Sequence, residues 1–168
     1  QKERVFKESI PDWLDELAVK ELGEKHWSKE ITALNMQAEV ILRTNTLRTN
    51  KISLRKKLAD EGIETVFIDG YPDALKLVER ANVFTTACFK DGLFEVQDAS
   101  SQLVAAYLDV QPGMRVIDTC AGAGGKTLHL AALMENKGQI IATDLYESKL
   151  KKLKIRTRRA GVFNVTTK

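Results

Sequence analysis

The stretch "VIDTCAGAGGKTLHLA", Val116 to Ala131, runs from an apolar segment closed by Asp118, through a glycine-rich turn, into a second apolar segment. Such a turn between a strand and a helix aims unpaired backbone N–H groups and the positive end of a helix dipole at one spot, which suits a phosphate or a carboxylate. Gly122 and Gly124 let the backbone turn sharply and approach a ligand with no Cβ in the way. Spacing separates the candidate chemistries. A Walker A loop, G-x-x-x-x-G-K-S/T, needs a glycine where Cys120 stands. The dinucleotide fingerprint G-x-G-x-x-G fits Gly122 and Gly124 but meets Thr127 at its third glycine. What fits without a misfit is Asp118 closing one strand, a Gly-x-Gly turn, and Asp144 closing the next strand, where an acid accepts hydrogen bonds from ribose hydroxyls. Adenosine is common to nicotinamide dinucleotides and S-adenosylmethionine, so at this level both stay open, beside a turn that only packs helix on strand.

Other reactive side chains are few. Two cysteines, Cys88 and Cys120, and two histidines give no CxxC pair, no disulfide framework and no metal-ligand cluster; no bound metal is expected, and a reducing compartment is favoured. Cys88, in "TTACFK", reads as a small buried hydrophobe with no acid or base partner. His129 reads as packed on an amphipathic helix, and Trp13 and Trp27 as core anchors. Ser100 and Ser101 read as caps of the helix that begins beside them. No apolar run reaches the roughly 20 residues of a membrane span, and the charged N-terminus lacks a signal-peptide core, so the expectation is a cytoplasmic protein with no membrane partner.

The net charge of +3 conceals an asymmetry. Residues 145–168 hold eight Lys or Arg against the single acid Glu147, whereas the remainder carries more acids than bases. The basic run "KLKKLKIRTRRAG" suits nucleic-acid phosphates, although a solvated helix face would look the same.

The elements that must position these residues fall into three stretches. Residues 1–35 read as helical, with Ser9 as an N-cap, Pro11 in the first turn and Gly23 as a stop. Residues 36–97 read as a small α+β module with an antiparallel sheet: strand "AEVILRTN", helix "SLRKKLADEG", then strands "IETVFID", "ALKLVE" and "GLFEVQD". In residues 98–168 the rhythm becomes helix, strand "RVIDT", glycine turn, helix, strand "QIIATD", helix, and a third strand beginning in "VFNVTTK". That alternation predicts a parallel, Rossmann-like sheet, with ligands at the carboxyl ends of its strands.

"VIDTCAGAGGKT" resembles the D-x-C-A-A-P-G-G-K-T motif of the Fmu/Sun-type RNA cytosine-5 methyltransferases. "VQDASSQLVAAYL" and "ATDLYESKLKKL" are similar to the segments flanking that motif, and "IPDWLDELAVKELG", "LRTNTLRTN" and "YPDALKL" resemble the family's N-terminal RNA-binding region. The resemblance covers nearly the whole chain. It implies an α/β fold in which a small α+β RNA-binding module precedes the first half of a class I methyltransferase domain, with S-adenosylmethionine as cofactor and RNA, most naturally ribosomal, as partner. It places the backbone of Cys120, Ala121, Gly122, Ala123, Gly124, Gly125 and Lys126 around the methionine half of the cofactor, Lys126 near its carboxylate, Asp118 at the strand end, and Asp144 on the ribose. It also favours Arg43, Asn45 and Arg48 as RNA contacts. Gly122 and Ala123 replace the family's Ala and Pro, and Lys149 stands where an Arg is usual, without its bidentate reach. The family's Pro-Cys nucleophile and its second cysteine lie beyond the third strand. The chain is therefore expected to be a fragment, inert alone and able to self-associate through an unpaired sheet edge; the alternatives are a non-catalytic RNA-binding module with a vestigial cofactor loop, or a nicotinamide-dependent oxidoreductase.

Overall fold

The computed structural model describes residues 2–168, which divide into two compact units, 2–38 and 39–168. The first is three helices, α1 (Lys2–Glu8), α2 (Asp12–Leu22) and α3 (Glu24–Leu34). Gly23, at φ 78°, ends α2 and starts α3, as its position suggests. Ser9 does not cap α2: it follows α1 in the left-handed region (φ 54°), and the extended Pro11 occupies the cap position. The unit closes on the buried Asp15, whose two carboxylate oxygens accept from Arg4 Nε and Nη2 at 2.8 and 2.9 Å while Trp27 Nε1 donates to Oδ1 at 2.7 Å. Trp27 is thus an anchor, but Trp13 is not, being 64% exposed.

The second unit holds two sheets. Strands β1 (Ile41–Thr44), β2 (Thr65–Phe67), β3 (Ala74–Leu77) and β4 (Phe94–Val96) form an antiparallel sheet in the order β2-β3-β1-β4. Helix α4 (Lys51–Asp60), capped by the Asn50 side chain, and the single turn α5 (Ala87–Lys90) cover one face, where Leu42, Leu54, Leu58, Leu75 and Phe94 make the core. The opposite face carries Ile41 and Ala74 against Ala99 of helix α6 (Ala99–Tyr107). β1 is consequently buried along its whole length. Asp98 caps α6 by accepting from the Ser100 and Ser101 N–H groups, so those serines are capped residues and not caps.

Strands β5 (Arg115–Asp118), β6 (Gln139–Ala142) and β7 (Val165–Thr167) form the parallel sheet, in that order and in register Asp118↔Ala142↔Thr167. Helices α7 (Gly125–Leu133) and α8 (Glu147–Ala160) pack with it around Leu128, Leu130, Met134, Ile140, Leu150 and Leu153. Alternation along β5 turns Val116 toward that core and leaves Ile117 65% exposed. Among the described residues, no helix is long and apolar enough to cross a membrane, and no cluster of three or more His, Cys, Asp or Glu side chains is placed to hold a metal ion.

Candidate functional site

The glycine turn lies at the carboxyl ends of β5 and β6, where an open parallel sheet leaves a crevice. Asp118 ends β5 and is held from the far side of the turn, Thr127 Oγ1 donating to its Oδ2 at 2.7 Å. The loop is tied to β6 by Ala121 N–H donating to Thr143 O at 3.0 Å. Gly122 and Gly124 both have positive φ, 55° and 92°, for different reasons. A Cβ on Gly124 would sit 2.1 Å from Leu153 Cδ1, so this glycine lets α8 close on the turn; a Cβ on Gly122 would meet nothing within 4 Å, because that corner opens onto free space. Gly124 is the N-cap of α7, and the first-turn N–H groups at Gly125, Lys126 and Thr127 have no carbonyl four residues back within the helix.

Asp144 stands one residue pair beyond β6 and faces the same corner. Its Oδ2 accepts from Gly122 N–H at 2.8 Å and its Oδ1 from Tyr146 N–H at 2.9 Å. Those two N–H groups, Tyr146 first, with Lys149 nearby, hold its carboxyl below the usual carboxylate range. Each oxygen retains a free lone pair for a further donor. Lys126 and Lys149 are exposed at the mouth, and Leu145 and Tyr146 leave apolar surface there at 88% and 62% exposure. An open glycine corner, free helix-start donors, a carboxylate fixed by backbone bonds and an adjoining apolar patch fit a ligand with an anionic end, a diol and a flat apolar ring. S-adenosylmethionine has all three.

The basic run contributes something that spacing does not show. Arg156 is turned inward: its Nη1 donates to Ala123 O in the glycine turn at 2.9 Å, and its Nη2 and Nε donate to Glu95 Oε2 on β4 at 2.8 and 3.2 Å. Arg159 Nη2 donates to Glu95 Oε1 at 2.6 Å, with its guanidinium 3.8 Å from the Phe89 ring centre. Glu95, the acid in the middle of "GLFEVQD", is almost wholly buried, its side chain 3% exposed. One carboxylate thus joins the antiparallel sheet to α8, and through Arg156 to the glycine turn. The only sequence signal is an acid on an otherwise apolar strand paired with a surplus of arginine far downstream.

Two of the three expected RNA contacts lie inside the protein. Arg43 is 1% exposed, on the β1 face that meets α6, and its Cα pairs across the ladder with Glu95. Burial pulls its pKa down to about 10 although the charges of Glu95 and Asp73 oppose this. Asn45 is a clasp: its Nδ2 donates to Gly92 O at 2.7 Å and to Ala160 O at 2.8 Å, and its Oδ1 accepts from Leu47 N–H. A side chain so engaged has no donor left for a phosphate. Arg48 is exposed. Cys88 is buried, but an acid is close, Glu61 accepting from the Cys88 N–H at 3.0 Å; burial first and then that carboxylate push the thiol up to about 12. Cys120 is exposed in the turn.

The family described as 16S rRNA methyltransferase RsmB/F matches residues 105–168, which contain the turn and both acids, and the ferredoxin-like domain described for RsmF/B-like methyltransferases matches residues 10–84. The chain belongs to the RsmB/F methyltransferase family. It is 35% identical over 158 residues to the probable ribosomal RNA small subunit methyltransferase B of Synechocystis sp., covering 94% of this chain and 35% of that protein. The corresponding protein of Bacillus subtilis is also 35% identical, over 92% of this chain and 34% of its own length. A methyltransferase homolog from Pyrococcus horikoshii, solved by crystallography, superposes with a TM-score of 0.87 at 29% identity, over 99% of this chain and 54% of that one. The chain spans about a third of the length of these curated RsmB-type relatives. The ferredoxin-like module and partial Rossmann-like sheet are the fold expected of the family.

Proposed function

We propose that the chain is the RNA-recognition and cofactor-binding part of a cytoplasmic, S-adenosylmethionine-dependent enzyme that methylates C5 of cytosine in small-subunit ribosomal RNA. The observation that carries this reading is Asp144, bonded to Gly122 and Tyr146 beneath an open glycine corner at the start of α7. The curated relatives' names supply the substrate class. In this reading the Cys120–Lys126 backbone and the α7 start hold the methionine carboxylate, Lys126 adds a positive charge, Asp144 accepts from the ribose hydroxyls, and Tyr146 and Leu145 flank the adenine. Bound there, S-adenosylmethionine supplies an electrophilic methyl group.

Methylation at C5 needs a thiolate that adds to C6 of the base. Cys88 is buried with its thiol raised to about 12, and Cys120 belongs to the loop that wraps the cofactor, so neither suits the task. The 168 residues alone should therefore transfer no methyl group from labelled S-adenosylmethionine to ribosomal RNA. Titration calorimetry with S-adenosylhomocysteine tests the cofactor assignment: the chain should bind it, and Asp144→Ala should weaken binding by about 10-fold or more through lost charge-assisted hydrogen bonds. Binding of NAD in its place would move the chain to the oxidoreductases, and binding of neither would leave an RNA-binding module with a vestigial loop.

A further inference from the structure

Where α8 ends against the antiparallel sheet, a groove of about 620 Å³ is lined by Leu47, Arg48, Lys90, Asp91, Leu93, Arg158 and Arg159. Its cations divide into two kinds. Arg159 is spent on Glu95 and Phe89. Arg48, Lys90 and Arg158 are exposed, and among the described residues their side chains make no hydrogen bond or ion pair. The lining holds one acid against these three, Asp91, and the Glu61 carboxylate outside the lining also acts on Lys90. At the end of α8, Ala160 O accepts from Asn45 Nδ2 at 2.8 Å, and the carbonyl of the following Gly161 accepts from Asn136 Nδ2 at 2.9 Å, so these two acceptors are already engaged. Arg48 lies flat over Gly161, where a Cβ would meet its guanidinium at 2.9 to 3.1 Å, so its charge is held at the groove. Lys154 lies four residues before Arg158, on the same helix face, and extends the positive surface along α8.

We infer that this groove is a binding site for the phosphodiester backbone of RNA, with Arg48, Lys90 and Arg158 as its phosphate contacts. The inference rests on the proposed reading of the chain as part of an RNA methyltransferase. Three cations from three separate segments converge on one open groove of about 620 Å³, more space than a single phosphate fills, which fits a polyanion running across it. Contacts of this kind position a nucleic acid without reading its bases. The groove lies at the carboxyl end of α8, more than two helical turns from Lys149 at the cofactor end. It would therefore hold RNA remote from the reacting base.

Filter binding of transcribed small-subunit ribosomal RNA between about 50 and 200 mM KCl reads the number of phosphate contacts from the slope of log K against log salt. The triple variant Arg48→Ala, Lys90→Ala, Arg158→Ala should lower that slope by about 2 to 3, while Lys25→Ala, Lys29→Ala, Lys56→Ala, three exposed lysines elsewhere, should leave it unchanged. As a check independent of any variant, RNA should protect Lys90 of the wild-type chain from acetylation more than Lys25, read by mass spectrometry. An unchanged slope together with an unprotected Lys90 overturns the groove, as does displacement of the RNA by inorganic phosphate at matched ionic strength. Calorimetry with S-adenosylhomocysteine on the same proteins separates the two failures. If cofactor binding persists while the groove variant keeps its RNA slope, the groove is wrong and the methyltransferase reading stands. A wild-type chain that binds no ribosomal RNA overturns both the groove and the RNA part of that reading.

Discussion

His129 is 5% exposed within α7, and its Nδ1 finds no partner. Burial first, and then the charge of Arg43, pull its pKa from 6.5 to about 3. In the unfolded chain the imidazole titrates near its ordinary value, so between pH 6.5 and 3 the unfolded state binds the extra proton. Stability should accordingly fall as pH drops through that window, by up to about 1.4 kcal/mol per pH unit. Urea melts at pH 7 and pH 5 should show His129→Gln losing less than the wild type, and equal losses would place the effect elsewhere. The depressed carboxyls of Asp15, Glu61, Asp98 and Asp144 act in the same direction but only below the carboxylate range, whereas burial raises Asp73 and makes it act in the opposite direction, so the His129→Gln comparison isolates the histidine. The two cysteines offer a second contrast at this scale. Iodoacetamide near pH 8 should label Cys120, and S-adenosylhomocysteine should slow that labelling by covering the turn. Cys88 should stay unmodified while the chain is folded, as peptide mapping would show.

At the scale of elements, Arg156 makes α8 a brace between the glycine turn and strand β4. Removing its guanidinium frees Ala123 O and half of Glu95, and the turn should lose part of its fixed shape without losing any group that touches a cofactor. Arg156→Ala should thus weaken S-adenosylhomocysteine binding about 5- to 10-fold, a loss of about 1 to 1.4 kcal/mol, with Arg156→Lys recovering part of it. Equal affinity in the alanine variant would show that the turn holds its shape unaided. The same helix shows why the sequence is readable in one place and opaque in another. Asp118, Gly122, Gly124 and Asp144 sit at strand and helix ends, where backbone geometry is set locally, so their spacing alone marks the turn. The antiparallel strands are readable too, because turn residues and β-branched runs bound them. Arg43 and Asn45 are different. Their burial depends on α6 packing on β1 and on the end of α8 meeting Asn45, contacts with residues more than fifty positions away, and three polar residues in a row at the end of a strand look locally like its exit to solvent. Arg156 misleads in the same way: its neighbours Lys152 and Arg158 do face solvent, and it is Glu95, 61 residues earlier, with Ala123 O, 33 residues earlier, that turns it inward.

For the whole molecule, β5 forms one edge of the parallel sheet, with Ile117, Met114, Leu108 and Tyr107 exposing 65%, 45%, 58% and 86% of their surfaces nearby in sequence. An unpaired edge beside apolar side chains favours pairing between copies. Sedimentation velocity should show association that increases with protein concentration and decreases in an Ile117→Lys variant; a monomer at every concentration would count against it. The Asn45 clasp also bears on the order in which the protein is made. Its bond to Ala160 O spans 115 residues, and the Glu95 pairs with Arg156 and Arg159 span 61 and 64. As the chain leaves the ribosome, the antiparallel sheet is complete once Val96 has emerged, but Asn45, Arg43 and Glu95 must then wait, polar and uncovered, until the last turn of α8 follows. During that interval the second face of the sheet is a half-built surface that water must keep satisfied. A polar face tolerates such a delay where a wholly apolar one would invite aggregation.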